Sequence, residues 1–270
     1  MSDPFPYRLA AIDIDDTLAG PDKAIGDANR LAVDRLRDAG CRVVLASGRR
    51  HGNMLRYAQS LGIDDFVISA QGALTRHASR DDVIHHAPLD RTLAGETVEL
   101  GRQMGVGLVM FTPGGAFSAA PTDWTEKLKR DTGGDLVYVD RLPPSPADVV
   151  EKVLWCDEPD RLAGMFESMT ARFEGRAIVT ITDPHLLEYT SPDATKAAGL
   201  AAVAKHYGIA QAQTLAFGDG NNDVPMLGWA GLGIAMSHAS ENAKRAAKRV
   251  APPGNPETSL ARAVEALLGG

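Results

Sequence analysis

Three carboxylates fall within four residues at Asp13, Asp15 and Asp16, directly after the apolar run Leu9-Ala10-Ala11-Ile12. Packing does not account for them, because like charges buried side by side are costly unless a cation or a shared proton relieves the repulsion. In an extended strand, residues two apart face the same side. Asp13, Asp15 and Thr17 are therefore predicted to converge on one spot while Asp16 points away. That arrangement suits a metal ion and a phosphoryl group.

Three other pieces carry compatible chemistry: Ser47-Gly48-Arg49, Lys196, and Gly218-Asp219-Gly220-Asn221-Asn222-Asp223. An aspartate with an ordinary pKa of about 3.9 is ionised at neutral pH, so Asp13 can attack phosphorus without a base, giving an aspartyl-phosphate. The leaving oxygen needs a proton, and Asp15 is the candidate donor. That role calls for a raised pKa, which Asp13 and partial burial are expected to supply. Asp219 and Asp223 add hard oxygen ligands in modest number, which suits Mg²⁺. Ser47, nearby backbone N–H groups and Lys196 would hold the phosphate oxygens, where negative charge builds.

Each piece has a plainer reading. Asp-rich turns are common, and an isolated lysine is usually a surface residue. Lys196 nevertheless opens a helix, where a cation opposes the helix dipole, and a local rule broken without visible compensation often marks function. The run GDGNND opens like a calcium loop, but Val224 stands where the sharp turn needs glycine, and no glutamate follows at its twelfth position. His85 and His86 would face opposite sides of a strand and make a poor chelate. Neither GxxxxGK[ST] nor GxGxxG occurs, so nucleotide-loop readings lack support.

The elements that must position these groups can be read from periodicity. Strands are predicted at Leu9 to Asp13, Cys41 to Ser47 and Asp65 to Ala70, with helices over Asp27 to Ala39 and through Met54 to Leu61 between them. Strand–helix–strand units with continuous apolar strands imply a parallel sheet covered on both faces. From about Val83 to Thr190 the chain is richer in Gly and Pro, with closely spaced strand-like pieces and one helix, Asp160 to Phe173. A separate α+β module is expected there. After Ser191 the first pattern resumes: a helix through Leu200 to Tyr207, the strand QTLAFGDG, a short helical segment, the strand GLGIAM, and a helix from Ser240. The fold class is therefore α/β, a Rossmann-like parallel-sheet core (1–82 and 191–270) interrupted by an inserted α+β domain (83–190). Open α/β sheets place their sites beyond the carboxyl ends of strands, so the four pieces are expected to meet at one crevice.

The chain has 270 residues, 44% hydrophobic and 23% charged, enough for one or two domains of an ordinary globular protein. Its net charge of −7 argues against broad nucleic-acid binding, and the basic run Lys244 to Arg249 is expected to be the solvated end of a helix. No stretch approaches the roughly 18 apolar residues of a membrane span, and the N-terminus lacks a basic segment leading into an apolar signal core. Cys41 and Cys156 are expected to be buried free thiols. The expected compartment is the cytoplasm. Nothing in the sequence speaks to oligomeric state.

In combination, DIDDTL, LASGR, a lysine after a long insertion, and GDGNNDVPML resemble the four ordered motifs of haloacid dehalogenase superfamily phosphatases. The insertion looks like the α/β cap of the Cof-like branch, which includes many sugar-phosphate phosphatases. The resemblance implies a nucleophile at Asp13 and an acid/base at Asp15. It implies phosphate-binding roles for Ser47, Gly48, Lys196 and Asn222, and a Mg²⁺ site formed by Asp13, Asp219, Asp223 and the backbone carbonyl of Asp15. It further implies a small-molecule phosphate ester as partner. Two departures stand out: Asp16 where many members carry glycine, and Gln71 where the branch usually has asparagine. A phosphotransferase passing its phosphoryl group to a sugar, and a non-catalytic sensor of phosphate esters, are the alternatives. Trp124, Arg130, Tyr138, Trp155, His185 and Glu188 of the insertion are candidates to contact a leaving group, but nothing in the sequence places any of them there, and Trp and Tyr in such a module are more often core.

Overall fold

The computed structural model of the chain describes residues 5–143 and 149–269. Its centre is β1 (Leu9–Asp13), every residue of which is buried. β1 lies between β2 (Arg42–Ala46) and β12 (Thr214–Gly218), parallel to both. The helices that close these units, α1 (Asp27–Asp38) and α2 (His51–Ser60), bury Ala32, Val33, Leu36, Met54 and Ala58. Both are followed by a left-handed glycine, Gly40 and Gly62, which turns the chain back toward the sheet. β3 (Phe66–Ser69) extends the parallel set, and β4 (Leu74–His77) and β5 (Val83–His86) return antiparallel at the edge.

The inserted module has its own sheet: β6 (Gly107–Thr112), β7 (Gly115–Ser118), β8 (Leu136–Tyr138), β9 (Lys152–Cys156), β10 (Ile178–Asp183) and β11 (Leu186–Thr190), in the order β10-β11-β9-β6-β7-β8. All its pairings are antiparallel except β7 with β8. Helices α3 (Arg91–Met104) and α5 (Pro159–Arg172) cover one face, with Val153, Trp155, Leu187 and Tyr189 in the core beneath them. Trp155 is therefore a core residue of this module: it is fully buried and its indole N–H donates to the Thr97 carbonyl. The opposite face carries α4 (Asp123–Asp131) at one end. Strand alternation turns Lys152, Leu154, Leu186 and Glu188 to this second face.

The chain then re-enters the first sheet through α6 (Lys196–His206) and β12, followed by α7 (Val224–Trp229), β13 (Leu232–Ala235), α8 (Glu241–Ala246), β14 (Arg249–Val250) and α9 (Ser259–Leu268). The eight-stranded order is β14-β13-β12-β1-β2-β3-β4-β5. Two boundaries differ from expectation. Residues 83–86 pair with β4 in the large sheet, so the expected boundary at 83 falls inside the core and the inserted sheet and its helices begin at Arg91. The basic run is also not all helix, since α8 stops at Ala246 and Arg249 enters the edge strand β14. Cys41 and Cys156 are buried and unpaired. Among the described residues, no helix is long and apolar enough to cross a membrane.

Glu151, just before β9, sits where the two modules meet. It is fully buried, neither carboxylate oxygen has a hydrogen-bond partner among the described residues, and it lines a cavity with Arg50, His51 and Arg76. Burial pushes its carboxyl up to about 7, against a partial pull from Arg50, Lys152 and Arg76. In the unfolded chain the proton is lost near 4.5, so the folded state gives up stability as pH rises from there through 7. The cost reaches about 3 kcal/mol above pH 7. Glu151→Gln should therefore stabilise the chain by about 2–3 kcal/mol at pH 8 and by almost nothing at pH 4.5, in urea unfolding at the two pH values. Equal effects at both would show that the carboxylate is not desolvated.

Candidate active site

β1 ends at Asp13, as predicted, so the alternation read for Asp15 and Thr17 runs past its end. Beyond it the Ile14 carbonyl accepts hydrogen bonds from the N–H groups of Leu18 and Ala19, closing a tight loop, and Asp16 takes a left-handed φ of 60°. The loop delivers only part of what alternation suggested: Asp13 and Asp15 line the crevice, but Asp16 lines it too and Thr17 does not. Asp13 is buried, Asp15 faces the same crevice, and Asp16 is exposed. Thr17 is buried and donates from its hydroxyl to Asp219 Oδ1 at 2.8 Å.

Lys196 reaches the same place from the first turn of α6. The Thr195 hydroxyl caps that helix by accepting from the Ala198 N–H. Gly72 lets the cap come close, since a Cβ there would lie 2.0 Å from the Thr195 carbonyl oxygen. Lys196 is fully buried, and its Nζ donates to Asp13 at 2.5 Å and Asp223 at 2.6 Å. This is the compensation the sequence did not show for a cation at a helix N-terminus. Burial alone would lower the ammonium pKa, but the Asp13 and Asp223 charges outweigh it and hold it above its ordinary value. Asp223 also closes the turn after β12, accepting at Oδ2 from the N–H groups of Asp219 and Gly220.

Carboxylate oxygens of Asp13, Asp219 and Asp223 all lie within 4.8 Å of one another. Burial, then the Asp223 charge, pushes Asp219 up to about 7. Asp13 is likewise raised by burial and by Asp223, with Lys196 pulling against them. Three carboxylates facing one ammonium leave unbalanced negative charge in hard oxygen donors, which fits a divalent cation such as Mg²⁺. The reference pKa is thus a poor guide to Asp13, because burial and the Asp223 charge raise it and Lys196 offsets only part of that rise.

Asp15 departs most from expectation. Its carboxylate accepts a two-pronged contact from Arg49, Nε at 2.8 Å and Nη2 at 2.7 Å, and pairs with Lys23 Nζ at 2.9 Å. Burial alone would raise its pKa, but Arg49 and then Lys23 hold it at about 2. Its side chain also stands apart from the Asp13–Asp219–Asp223 cluster. Asp13's negative charge was expected to raise Asp15; two cations lower it instead.

Ser47 is buried, with its hydroxyl accepting from the Arg49 N–H at 3.2 Å. Gly48, Asn222 and Gln71 line the same crevice. Its volume is about 220 Å³. The inserted module roofs it with Trp124 and His185, stacked with ring centroids 4.2 Å apart, together with Lys127, Lys152 and Glu188. Tyr138 and Arg130 do not line it; Tyr138 donates instead to Glu126 within the module. Sequence reading passed over Lys152, Lys23 and the role of Arg49. Lys152 alone left a signal, as a lysine inside the apolar strand VEKVLWC.

A model of haloacid dehalogenase-like hydrolases matches residues 10–264. The chain belongs to that family. Among its relatives is "Putative phosphatase YxeH" of Bacillus subtilis (strain 168), 26% identical over 276 residues, spanning 97% of this chain and 98% of that one. The family fold is shared with a haloacid dehalogenase-like hydrolase from Bacteroides thetaiotaomicron, with a TM-score of 0.85 at 24% identity, covering 97% and 99% of the two chains. It is also shared with the HAD subclass IIB sugar phosphatase BT4131, with a TM-score of 0.81 at 21% identity, covering 97% and 98%.

Removing the buried cation should expose the carboxylate repulsion directly. Lys196→Met is expected to cost about 3–5 kcal/mol of stability at pH 7.5, read by urea unfolding. Acidification toward pH 5 should return part of it, because Asp13 and Asp219 then take up protons more readily than the unfolded chain does. A variant as stable as wild type at pH 7.5 would remove Lys196 from its structural role.

Proposed function

We propose that the chain is a Mg²⁺-dependent phosphomonoester hydrolase that acts on a small phosphorylated metabolite through an aspartyl-phosphate on Asp13. The observation that carries this reading is the buried Asp13–Lys196–Asp223 constellation beside Asp219, with Asp13 and Asp219 opening onto a roofed crevice and Lys196 and Asp223 packed behind them. Mere binding of a phosphate ester does not call for a buried, ion-paired carboxylate aimed at the ligand. The crevice volume suits a small ester and not a macromolecule. A sugar phosphate is the class we favour, because BT4131, which shares the fold, is a sugar phosphatase. The buried free thiols fit a reducing compartment, and we place the enzyme in the cytoplasm.

In this reading an Asp13 carboxylate oxygen attacks phosphorus as the ester P–O bond breaks. Asp15 hands a proton to the departing oxygen, then takes one from the water that cleaves the acyl phosphate, so inorganic phosphate leaves and Asp13 is restored. Asp15 starts as a carboxylate under Arg49 and Lys23. The incoming phosphate dianion competes for those cations, their withdrawal lets the Asp15 pKa climb, and Asp15 takes up a proton from solvent before the ester bond breaks. Ser47, the Gly48 backbone, Lys196 and Asn222 hold the phosphate oxygens. Asp13, Asp219, Asp223 and the Asp15 backbone carbonyl would hold Mg²⁺, which supplies positive charge against the developing charge on the phosphoryl group.

Inorganic phosphate release from a panel of small phosphomonoesters, with and without Mg²⁺, tests this. Wild type should turn over only with the metal, and Asp13→Asn should lose at least about 10³-fold in kcat while still unfolding in one cooperative transition. Turnover that survives Asp13→Asn would overturn the covalent route. Ester consumption with little phosphate released would point to transfer onto a second sugar.

A further inference from the structure

Gln71 occupies an unusual backbone. β3 ends at Ser69, and Ala70, Gln71 and Gly72 follow with φ of 49°, 62° and 97°. Left-handed conformations at consecutive non-glycine residues persist only where the surroundings over-determine them. Here the surroundings are the loop after β2. The Ala70 N–H donates to the Arg49 carbonyl at 2.8 Å, and the Gln71 N–H donates to the Ser47 carbonyl at 3.1 Å. The turn is strapped to the backbone on both sides of Gly48.

The Gln71 side chain is buried and spends both ends of its amide. Nε2 donates to Glu188 at 2.9 Å, and Oε1 accepts from Asn222 Nδ2 at 3.0 Å. Glu188 accepts from Lys152 Nζ at 2.8 Å, and the same Nζ donates to the Gly48 carbonyl at 2.8 Å. A Cβ on Gly48 would lie 2.3 Å from Gln71 Nε2, so loop and amide are in direct contact. The circuit runs from the loop to β9, across to β11, and back through Gln71 to the loop.

The inserted module does not need this ion pair for its own core. Lys152 and Glu188 are each 2% exposed, yet they stand on the face turned away from Trp155, Leu187 and Tyr189. A buried pair is weak evidence of stability, and its best-attested use is to specify an arrangement. If the modules part, water reaches both charges and the pair loses most of its worth.

We propose that Gln71, Glu188 and Lys152 form a latch that couples closure of the inserted module to ordering of the Ser47-Gly48-Arg49 loop. It rests on the reading of that loop as a phosphate cradle. All three are positioning residues. Closure delivers the Lys152 ammonium to the Gly48 carbonyl and fixes the loop's N–H groups, and an anion seated in the loop favours closure in return. Such couplings are reciprocal and typically amount to 5–150-fold in affinity.

The test uses the full chain as wild type, Gln71→Ala, Gln71→Glu and Glu188→Gln. The readouts are hydrogen exchange over residues 46–50 and 69–72 without ligand, and titration with inorganic phosphate in the presence of Mg²⁺. All three variants should exchange at least about tenfold faster at these amides and bind phosphate about tenfold more weakly, Gln71→Ala with a Tm near that of wild type. Gln71→Glu sets two carboxylates against each other, and Glu188→Gln, made on the inserted module, leaves Lys152 without its carboxylate. That a change at residue 188 frees amides at 46–50 is a result that a structural role confined to the Gln71 turn would not produce. Should Gln71→Ala fail to fold, Gln71→Asn, one methylene shorter, carries the same readouts. Wild-type exchange and phosphate affinity in the Gln71 variants, or wild-type exchange at 46–50 in Glu188→Gln, would overturn the latch. A wild type that takes up no phosphate would defeat the cradle reading, and the exchange rates would still decide the latch.

Discussion

Carboxylates gathered in a water-poor crevice repel one another, and the rest of this structure is arranged around that repulsion. Asp13, Asp219 and Asp223 approach within 4.8 Å, close enough that burial and mutual charge raise Asp13 and Asp219. The cation that answers them, Lys196, lies 183 residues from Asp13 in sequence. The four charges come from three places, Asp13 at the end of β1, Lys196 in α6, and Asp219 with Asp223 in the turn after β12, so no single stretch of chain can form the site by itself. The site exists only when β1, β12 and α6 are docked, and charge balance within it is a condition of folding as well as of chemistry.

The parallel sheet makes that docking possible. Side-by-side strands bring the residues just beyond Asp13, Ala46 and Gly218 to one edge, whatever their separation in sequence. The inserted sheet works by the other periodicity. Alternation along β9 and β11 gives one face to apolar packing and the other to Lys152, Leu154, Leu186 and Glu188. A charge on the second face can therefore reach the floor of the crevice without disturbing the core that folds the module. Catalysis-grade polarity and hydrophobic stability are separated by one residue in the chain.

Much of this was legible in the sequence, for reasons that can be stated. Asp13, Ser47, Lys196 and Asp219 are exceptional residues at the ends of strongly periodic segments, and the period gave both the parallel core and the interruption. What stayed hidden depends on distance across the fold. Nothing near Asp15 in sequence tells that Arg49, 34 residues on, will grip its carboxylate. Asp13 and partial burial, the two influences local sequence shows, point to a raised pKa, and the distant cations reverse the direction. Strand alternation also failed beyond Asp13, because hydrogen bonds to the Ile14 carbonyl close a loop there. Helices α3, α4 and α9 went unread although Asp90 and Thr122 cap the first two and Gly105 and Gly269 follow α3 and α9, because the Gly/Pro-rich composition of the insertion drew attention to strands and turns. Trp155 and Trp124 look alike in sequence, and only strand parity and helix placement send one to the core and the other to the crevice roof.

Asp15 shows how the same electrostatics can hold a resting state. A carboxylate gripped by a guanidinium and an ammonium cannot give up a proton, and the two cations it occupies are unavailable to anything else. A phosphate dianion carries more charge than one carboxylate, so it competes for Arg49 and Lys23 on favourable terms. Each contact it wins removes one of the charges that depress Asp15. Ligand entry and proton readiness are then linked through shared partners, with no backbone movement required at Asp15 itself. In the proposed reaction, Arg49 and Lys23 would thereby keep Asp15 from acting as an acid until an anion arrives to take them.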